Sequence, residues 1–230
     1  MRPPPLDALD AVLFDAGGTL IELDYAFIGG VAARHGAPIA PEALRRAEGV
    51  ARREIDRRAE RADRSLEDDA ARRPSYFATL LAAAGLDSGV REAVVADLEA
   101  EHARVNLWRV AVRGAQGALA RLRARGLRLA VISNSDGRVA QVLAAVGLAE
   151  PFEAIVDSHF EGVEKPDPAI FQRTLTRLGV QPARACYVGD IYAIDARGAR
   201  AAGLHPVLVD GVGAYAALDC ARIGSLDELV

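Results

Sequence analysis

The sequence predicts an α/β fold in which a parallel sheet, covered by helices on both faces, is interrupted after its first strand by an all-helical insertion. Two observations carry that prediction. From about residue 112 onward, short apolar runs rich in Val, Ile and Leu alternate with helical stretches, the pattern of a parallel sheet buried on both sides. A similar run at 11–15 stands apart from them, separated by residues 21–107, which read as helical and show no strand character. A chain of 230 residues, 51% of them hydrophobic, is long enough to bury the core such a sheet requires.

Taken in order, the first strand ends at Asp15, and Gly17 and Gly18 then turn the backbone sharply. Within 41–73, Ala47, Val50, Ala51, Ile55, Ala59, Ala62 and Leu66 recur at three- and four-residue steps, the apolar stripe of an amphipathic helix. Its opposite face is expected to carry Glu48/Arg52, Glu54/Arg58 and Glu60/Arg64, each Glu four residues ahead of its Arg, the favourable order. Ten arginines fall between 45 and 73, but interleaved carboxylates mark a solvated, salt-bridged face rather than a nucleic-acid surface. Pro74 ends that helix, and Tyr76, Phe77, Leu80 and Leu81 start another that Gly85 closes. A further helix over 89–105 turns Val90, Val94, Leu98 and Val105 inward. Helix 114–125 then leads to strand 127–132, helix 138–147 to strand 154–157, helix 169–178 to strand 184–189, and helix 195–202 to strand 206–210.

Bulk properties exclude several classes. A net charge of −4 gives no general attraction to nucleic acid or to an anionic membrane. No apolar run approaches the roughly 18 residues of a membrane span. The N-terminal Met-Arg-Pro-Pro-Pro lacks the apolar core of a signal peptide, so a cytoplasmic protein with two reduced cysteines, Cys186 and Cys220, is expected. Four scattered histidines show no zinc-ligand spacing. Of 28 basic residues only Lys165 is lysine, which hints at a site where a compact ammonium is needed and a guanidinium does not serve.

Four polar signals each close an apolar run: Asp15, Ser133-Asn134, Lys165-Pro166, and Gly189-Asp190 with Asp195. Open parallel sheets build their sites at the carboxyl ends of strands, so these residues are expected to converge at one edge. Singly, Asp15, Asp190 and Asp195 also fit helix caps, and Ser133 a turn residue; four in order point to one site. Three clustered carboxylates repel, and a divalent cation relieves that repulsion. Mg²⁺ takes a few carboxylate or carbonyl oxygens, keeps some waters and accepts a phosphate oxygen as a further ligand. Asp15 is then placed to attack phosphorus, with Lys165, Ser133 and the backbone amides of the glycine turn contacting the phosphoryl oxygens. Asp167-Pro168 reads instead as a helix N-cap and first helical residue.

The series Asp-x-x-Gly-Thr, Ser-Asn, Lys-Pro and Gly-Asp-x-x-x-x-Asp, each after its own strand, resembles the four motifs of the haloacid dehalogenase superfamily. The helical insertion resembles its subfamily I cap. The resemblance implies a Rossmann-like catalytic core at 1–20 and 108–230 and a cap at 21–107 that closes over the site, with linkers near 21–24 and 107–113 as hinges. It further implies Asp15 as nucleophile and metal ligand, the Gly17 carbonyl and Asp190 as further ligands of Mg²⁺, and Asp195 binding directly or through water. Ser133 and Asn134, with the turn Gly17–Gly18–Thr19, would hold the phosphoryl group, and Lys165 would bridge it to Asp15. The implied activity is a phosphatase of small phosphorylated metabolites, with no nucleic-acid or membrane partner.

One position departs from the pattern. Phosphatases of the family usually carry a second aspartate two residues after the nucleophile, and here that residue is Gly17. A carbonyl ligand survives that change, whereas general acid–base catalysis, typically about 10²–10⁴-fold, does not. The proton then comes from elsewhere (Glu22, Asp24 and His35 are candidates) or the leaving group needs none. The alternatives are a C–halogen hydrolase of the 2-haloacid dehalogenase type, which the intact Asp190/Asp195 pair disfavours, and a degenerate member that only binds a phospho-ligand or partner.

Overall fold

A computed structural model of the chain describes residues 2–62, 75–215 and 218–230. It resolves into two compact units, Met1–Leu23 with Trp108–Val230, and Asp24–Leu107. In the first, β1 (Ala11–Phe14) is followed by β2 (Ile21–Leu23), which pairs antiparallel with β3 (Trp108–Ala111). Then come β4 (Arg128–Ser133), β5 (Ala154–Asp157), β6 (Ala185–Gly189), β7 (His205–Val209) and β8 (Ala221–Ile223). β1 and β4 to β8 form one sheet in the order β5-β4-β1-β6-β7-β8, parallel throughout. The stretch from residue 21 therefore does contain a strand, contrary to the sequence expectation. The β2–β3 ribbon keeps Ile21–Leu23 with the first unit.

The second unit is built from α1 (Tyr25–Arg34), α2 (Pro41–Ala62), α3 (Tyr76–Ala83) and α4 (Ser88–Arg104). Asp24 caps α1 by accepting from the Phe27 N–H at 2.9 Å, and Ser75 and Asp87 cap α3 and α4 in the same way. α2 buries Ala47 and Ala51 of the expected stripe, but its buried face extends to charged residues. Leu44, Ala47 and Ala51 are buried, but so are Glu48, Arg52 and Asp56, while Val50 is 55% exposed. Burial of those charges is tolerable because they are paired. Glu48 accepts from the hydroxyls of Tyr25 and, at 2.8 Å, Tyr76, and from the Arg52 guanidinium at 3.0 Å. Glu54 and Arg58, at 2.9 Å, remain partly solvated as expected. The Glu60/Arg64 pair, Leu66 and Pro74 concern positions outside the described residues, and the side chain of Ala62 is likewise not described.

Two pairs of equal sequence spacing thus differ sharply in what they contribute. Glu48→Ala is expected to lower unfolding stability by about 3 kcal/mol, because it takes the Glu48 carboxylate from a buried guanidinium, a buried hydroxyl and a partly buried one. Glu54→Ala is expected to cost about 0.5 kcal/mol. Denaturant titration of both variants checks the contrast, and equal losses would show that Glu48 is not the hub of this cluster.

Side chains of the large sheet alternate between two buried layers. Val12, Phe14, Leu129, Val131 and Val188 pack with α5 (Ala115–Ala124) and α6 (Val139–Ala145). A short α7 (Ser158–Glu161) follows β5. Leu13, Ala130, Ile132 and Tyr187 face the other layer, formed by α8 (Pro168–Leu178) and α9 (Arg197–Ala201). Cover on both faces explains why these strands read as unbroken apolar runs. β1 lies between β4 and β6, and the chain fills one side of it before crossing to the other. Its carboxyl end is therefore the switch point where connections diverge and a crevice opens.

Candidate active site

Asp15 follows β1 directly, and its N–H donates to the Val188 carbonyl of β6 at 2.8 Å, fixing the carboxylate at the switch point. The turn beyond it is tight: the N–H groups of Thr19, Leu20 and Ile21 all donate to the Ala16 carbonyl. Gly18 sits at φ 76°, the left-handed region that glycine enters without steric penalty. Its N–H donates to the Ile21 carbonyl at 2.7 Å. The amides of Gly18 and Thr19 are thus hydrogen-bonded inside the turn. Thr19 is wholly buried, and its hydroxyl has no hydrogen-bond partner among the described residues.

Lys165, in the connection between α7 and α8, is buried and reaches three oxygens. Its ammonium donates to Asp15 Oδ1 at 2.6 Å, to Asp195 Oδ1 at 2.7 Å and to the Tyr187 hydroxyl at 2.8 Å. Burial alone favours the neutral amine, but the Asp15 and Asp195 carboxylates outweigh it and hold the lysine well above its ordinary value. Burial, reinforced by the Asp195 charge and opposed by Lys165, pushes Asp15 up to about 6. Asp167 caps α8 by accepting from the Ala169 N–H at 2.8 Å, with Pro168 as the first helical residue.

Ser133 ends β4 beside Asp157 of β5. Asn134 does not present its amide to the site. Its Nδ2 donates to the Lys165 carbonyl and its Oδ1 accepts from the Lys165 N–H, both at 2.8 Å. The side chain therefore clamps the lysine's backbone, because one primary amide matches one peptide unit as donor and acceptor. Asp157 is likewise structural, accepting from the N–H groups of Gly137 and His159, each at 3.0 Å.

β6 delivers the remaining carboxylates. Asp190 follows Gly189, and Asp195 lies in the π-helical turn Tyr192–Ala196. Asp195 Oδ2 accepts from the N–H groups of Asp190 at 3.1 Å and Ile191 at 3.0 Å, while Oδ1 meets Lys165. Both its oxygens are engaged, so it organises the turn and the lysine before it meets anything else. Gly189 is required for that arrangement: a Cβ there would sit 2.4 Å from the Asp195 carboxyl carbon. Oxygens of Asp15, Asp190 and Asp195 all lie within 4.8 Å of one another, and all three residues are buried. One lysine offsets three carboxylates, which leaves a deficit of positive charge among hard oxygen donors. That donor set, without sulfur or imidazole, fits a small hard divalent cation.

Tyr187 is the participant the sequence did not mark. Its hydroxyl accepts from Lys165 and donates to the Ile132 carbonyl at 3.0 Å, bridging β6 and β4 under the lysine. Burial first, then the nearby Asp195 and Asp15 charges, hold its hydroxyl firmly protonated. Only its place on the same side of β6 as Ala185, next to Leu13 of β1, foretold where it points. Of the candidate proton donors, Asp24 is used as the α1 cap and His35 bonds Asp97 at 2.8 Å.

Comparison with known proteins agrees with this arrangement. A family model for haloacid dehalogenase-like hydrolases matches residues 9–203. The chain is 40% identical over 129 residues to the bovine haloacid dehalogenase-like hydrolase domain-containing protein 3, a stretch covering 54% of this chain and 51% of that protein. It is 41% identical over 97 residues to a phosphoserine phosphatase of Thermus thermophilus, covering 42% of this chain and 39% of the relative. The matches thus span about half or less of these relatives' length. The fold is similar to that of a crystallised HAD phosphatase of Thermococcus onnurineus, with TM-score 0.60, 23% identity and 96% of each chain covered. A sheet of this order, a site at the end of its central strand and a family model covering most of the residues agree: the chain belongs to the haloacid dehalogenase-like hydrolases.

Proposed function

We propose that the chain is a Mg²⁺-dependent phosphatase of small phosphorylated metabolites that works through an aspartyl-phosphate on Asp15. The observation that carries this reading is the Asp15–Lys165–Asp195 cluster with Asp190 beside it, three buried carboxylates around one lysine. The side chains of Asp15 and Asp190 and the carbonyl of Gly17 would hold the metal, with Asp195 reaching it directly or through water. When bound, Mg²⁺ supplies the charge that neutralises phosphoryl oxygens and leaves ligand positions for them. Asp15, ionised and held by Lys165, attacks phosphorus. Lys165 and the Ser133 hydroxyl steady the transferring group, and Asn134 and Tyr187 keep the lysine in place. The phosphoserine phosphatase relative supports a phosphate ester as substrate.

No described helix is long and apolar enough to cross a membrane, and both cysteines are buried and free. With the net charge of −4, these features support a cytoplasmic enzyme acting on a small molecule.

The test is hydrolysis of p-nitrophenyl phosphate with Mg²⁺ or EDTA. Turnover in Mg²⁺ that EDTA reduces at least about 10²-fold is the expected result. In parallel, saturating Mg²⁺ is expected to raise the melting temperature, as a ligand of the folded state alone does. Metal binding without turnover of any phosphate ester would overturn the enzymatic reading.

A further inference from the structure

We infer that Trp108 is a specificity-determining residue: its indole covers the place beside the nucleophile where a proton donor would stand. The site is thereby restricted to phosphoryl donors whose leaving oxygen departs as an anion. This rests on the phosphotransfer reading above and adds to it the class of leaving group.

Residue 17 lies two residues after Asp15, the position at which the resemblance places the second aspartate of family phosphatases. Its glycine is not demanded by the backbone, since Gly17 is absent from the positive-φ residues, unlike its neighbour Gly18. What stands in the way is the indole. A Cβ on residue 17 would lie 3.1 Å from both Cδ1 and Nε1 of Trp108, closer than such atoms normally pack. Trp108 begins β3, is partly buried and packs against the core layer that includes Phe14 and Ile21, so its ring has core support where it lies. The β2–β3 pairing that was absent from the sequence reading is what brings residue 108 over residue 17.

Three donors beside the nucleophile do not serve as the acid. An indole N–H donates hydrogen bonds but does not ionise in the working range. Lys165 is held protonated by two carboxylates, and the Tyr187 proton is committed to the Ile132 carbonyl. The bookkeeping of the reaction follows. An Asp15 oxygen bonds to phosphorus while the bond from phosphorus to the leaving oxygen breaks, and that oxygen keeps the electron pair with no proton from the protein. Water then bonds to phosphorus, the Asp15–phosphorus bond breaks, and the water's proton leaves with inorganic phosphate. Carboxylates and phenolates leave readily in this way and alkoxides do not, so acyl and aryl phosphates are favoured over alkyl phosphates.

The experiment compares kcat/KM for acetyl, p-nitrophenyl, phenyl and alkyl phosphates in Mg²⁺. The native chain is expected to lose at least about 10²-fold between p-nitrophenyl and alkyl phosphate, the span a positioned acid ordinarily levels. Gly17→Asp alone is expected to leave that slope nearly unchanged, because the indole misdirects the new carboxyl. The pair Gly17→Asp/Trp108→Ala is expected to flatten it, while Trp108→Ala alone is not. A flat profile in the native chain, or Gly17→Asp alone flattening it, would overturn the role of Trp108 while leaving the phosphatase reading intact. No turnover of any of the four phosphates would overturn both. A folded Gly17→Asp/Trp108→Ala variant that keeps the steep slope would likewise overturn the role of Trp108.

Discussion

Replacing Asp15 with asparagine is expected to abolish p-nitrophenyl phosphate turnover, by at least about 10⁴-fold, since nucleophile losses of this kind are among the largest single-residue effects in enzymes. Asparagine keeps the shape and can still accept from Lys165, so a folding defect is not the cause expected. Stability provides the control. Burial lifts Asp15 to about 6 in the metal-free fold, above its value in the unfolded chain. A raised value of this kind gives stability that is complete below the unfolded value of 3.8 and is lost as pH climbs through about 6. In EDTA the native chain should therefore lose stability between pH 4 and 7 that the Asp15→Asn variant keeps. A variant that is inactive but melts several degrees lower than the native chain at pH 7 in EDTA would point to damaged folding instead. One that retains more than about 1% of the activity would remove Asp15 as the nucleophile.

Why Asp15 was legible, and Trp108 was not, follows from where the information lies. β1, β4, β5, β6 and β7 are covered on both faces, so each is a local apolar run with a polar residue at its end. Asp15, Ser133, Asp190 and Asp195 could be found within windows of a few residues, and Lys165 by its uniqueness. β2 and β8 were not, because each is three residues long with a polar residue, Glu22 or Arg222, at its centre. The charged residues on the buried face of α2 were misassigned for a different reason. Glu48 is satisfied by Tyr25 and Tyr76, 23 and 28 residues away, and periodicity within one helix carries no trace of them. The same holds for Asn134, whose amide answers the backbone of Lys165, 31 residues on, and for Tyr187, whose hydroxyl meets a lysine 22 residues away. Residue types and spacing identify strand ends; they do not say which donor spends its hydrogen bond on another part of the same site.

The second large effect is expected at Lys165. Lys165→Met keeps an unbranched side chain of similar length but leaves Asp15 and Asp195 buried without their cation, and takes the donor from the Tyr187 hydroxyl. Breaking a buried ion network this way costs about 3–5 kcal/mol, and loss of the charge beside the transferring group about 10²–10³-fold in turnover. Saturating Mg²⁺ is expected to recover more melting temperature in this variant than in the native chain, since Asp15 and Asp195 have then lost the Lys165 charge, yet not to recover activity. Lys165→Arg is the sharper comparison. The ammonium's three hydrogens are matched by three acceptors at 2.6, 2.7 and 2.8 Å, converging on one nitrogen. A guanidinium spreads its donors over a planar fork and cannot meet them from one point. Turnover at least about 10²-fold below native is expected for arginine too, although the charge is conserved. Native-like activity in Lys165→Arg would mean that charge alone matters here. The expected loss would explain why, in a chain whose other 27 basic residues are all arginine, this one position holds a lysine.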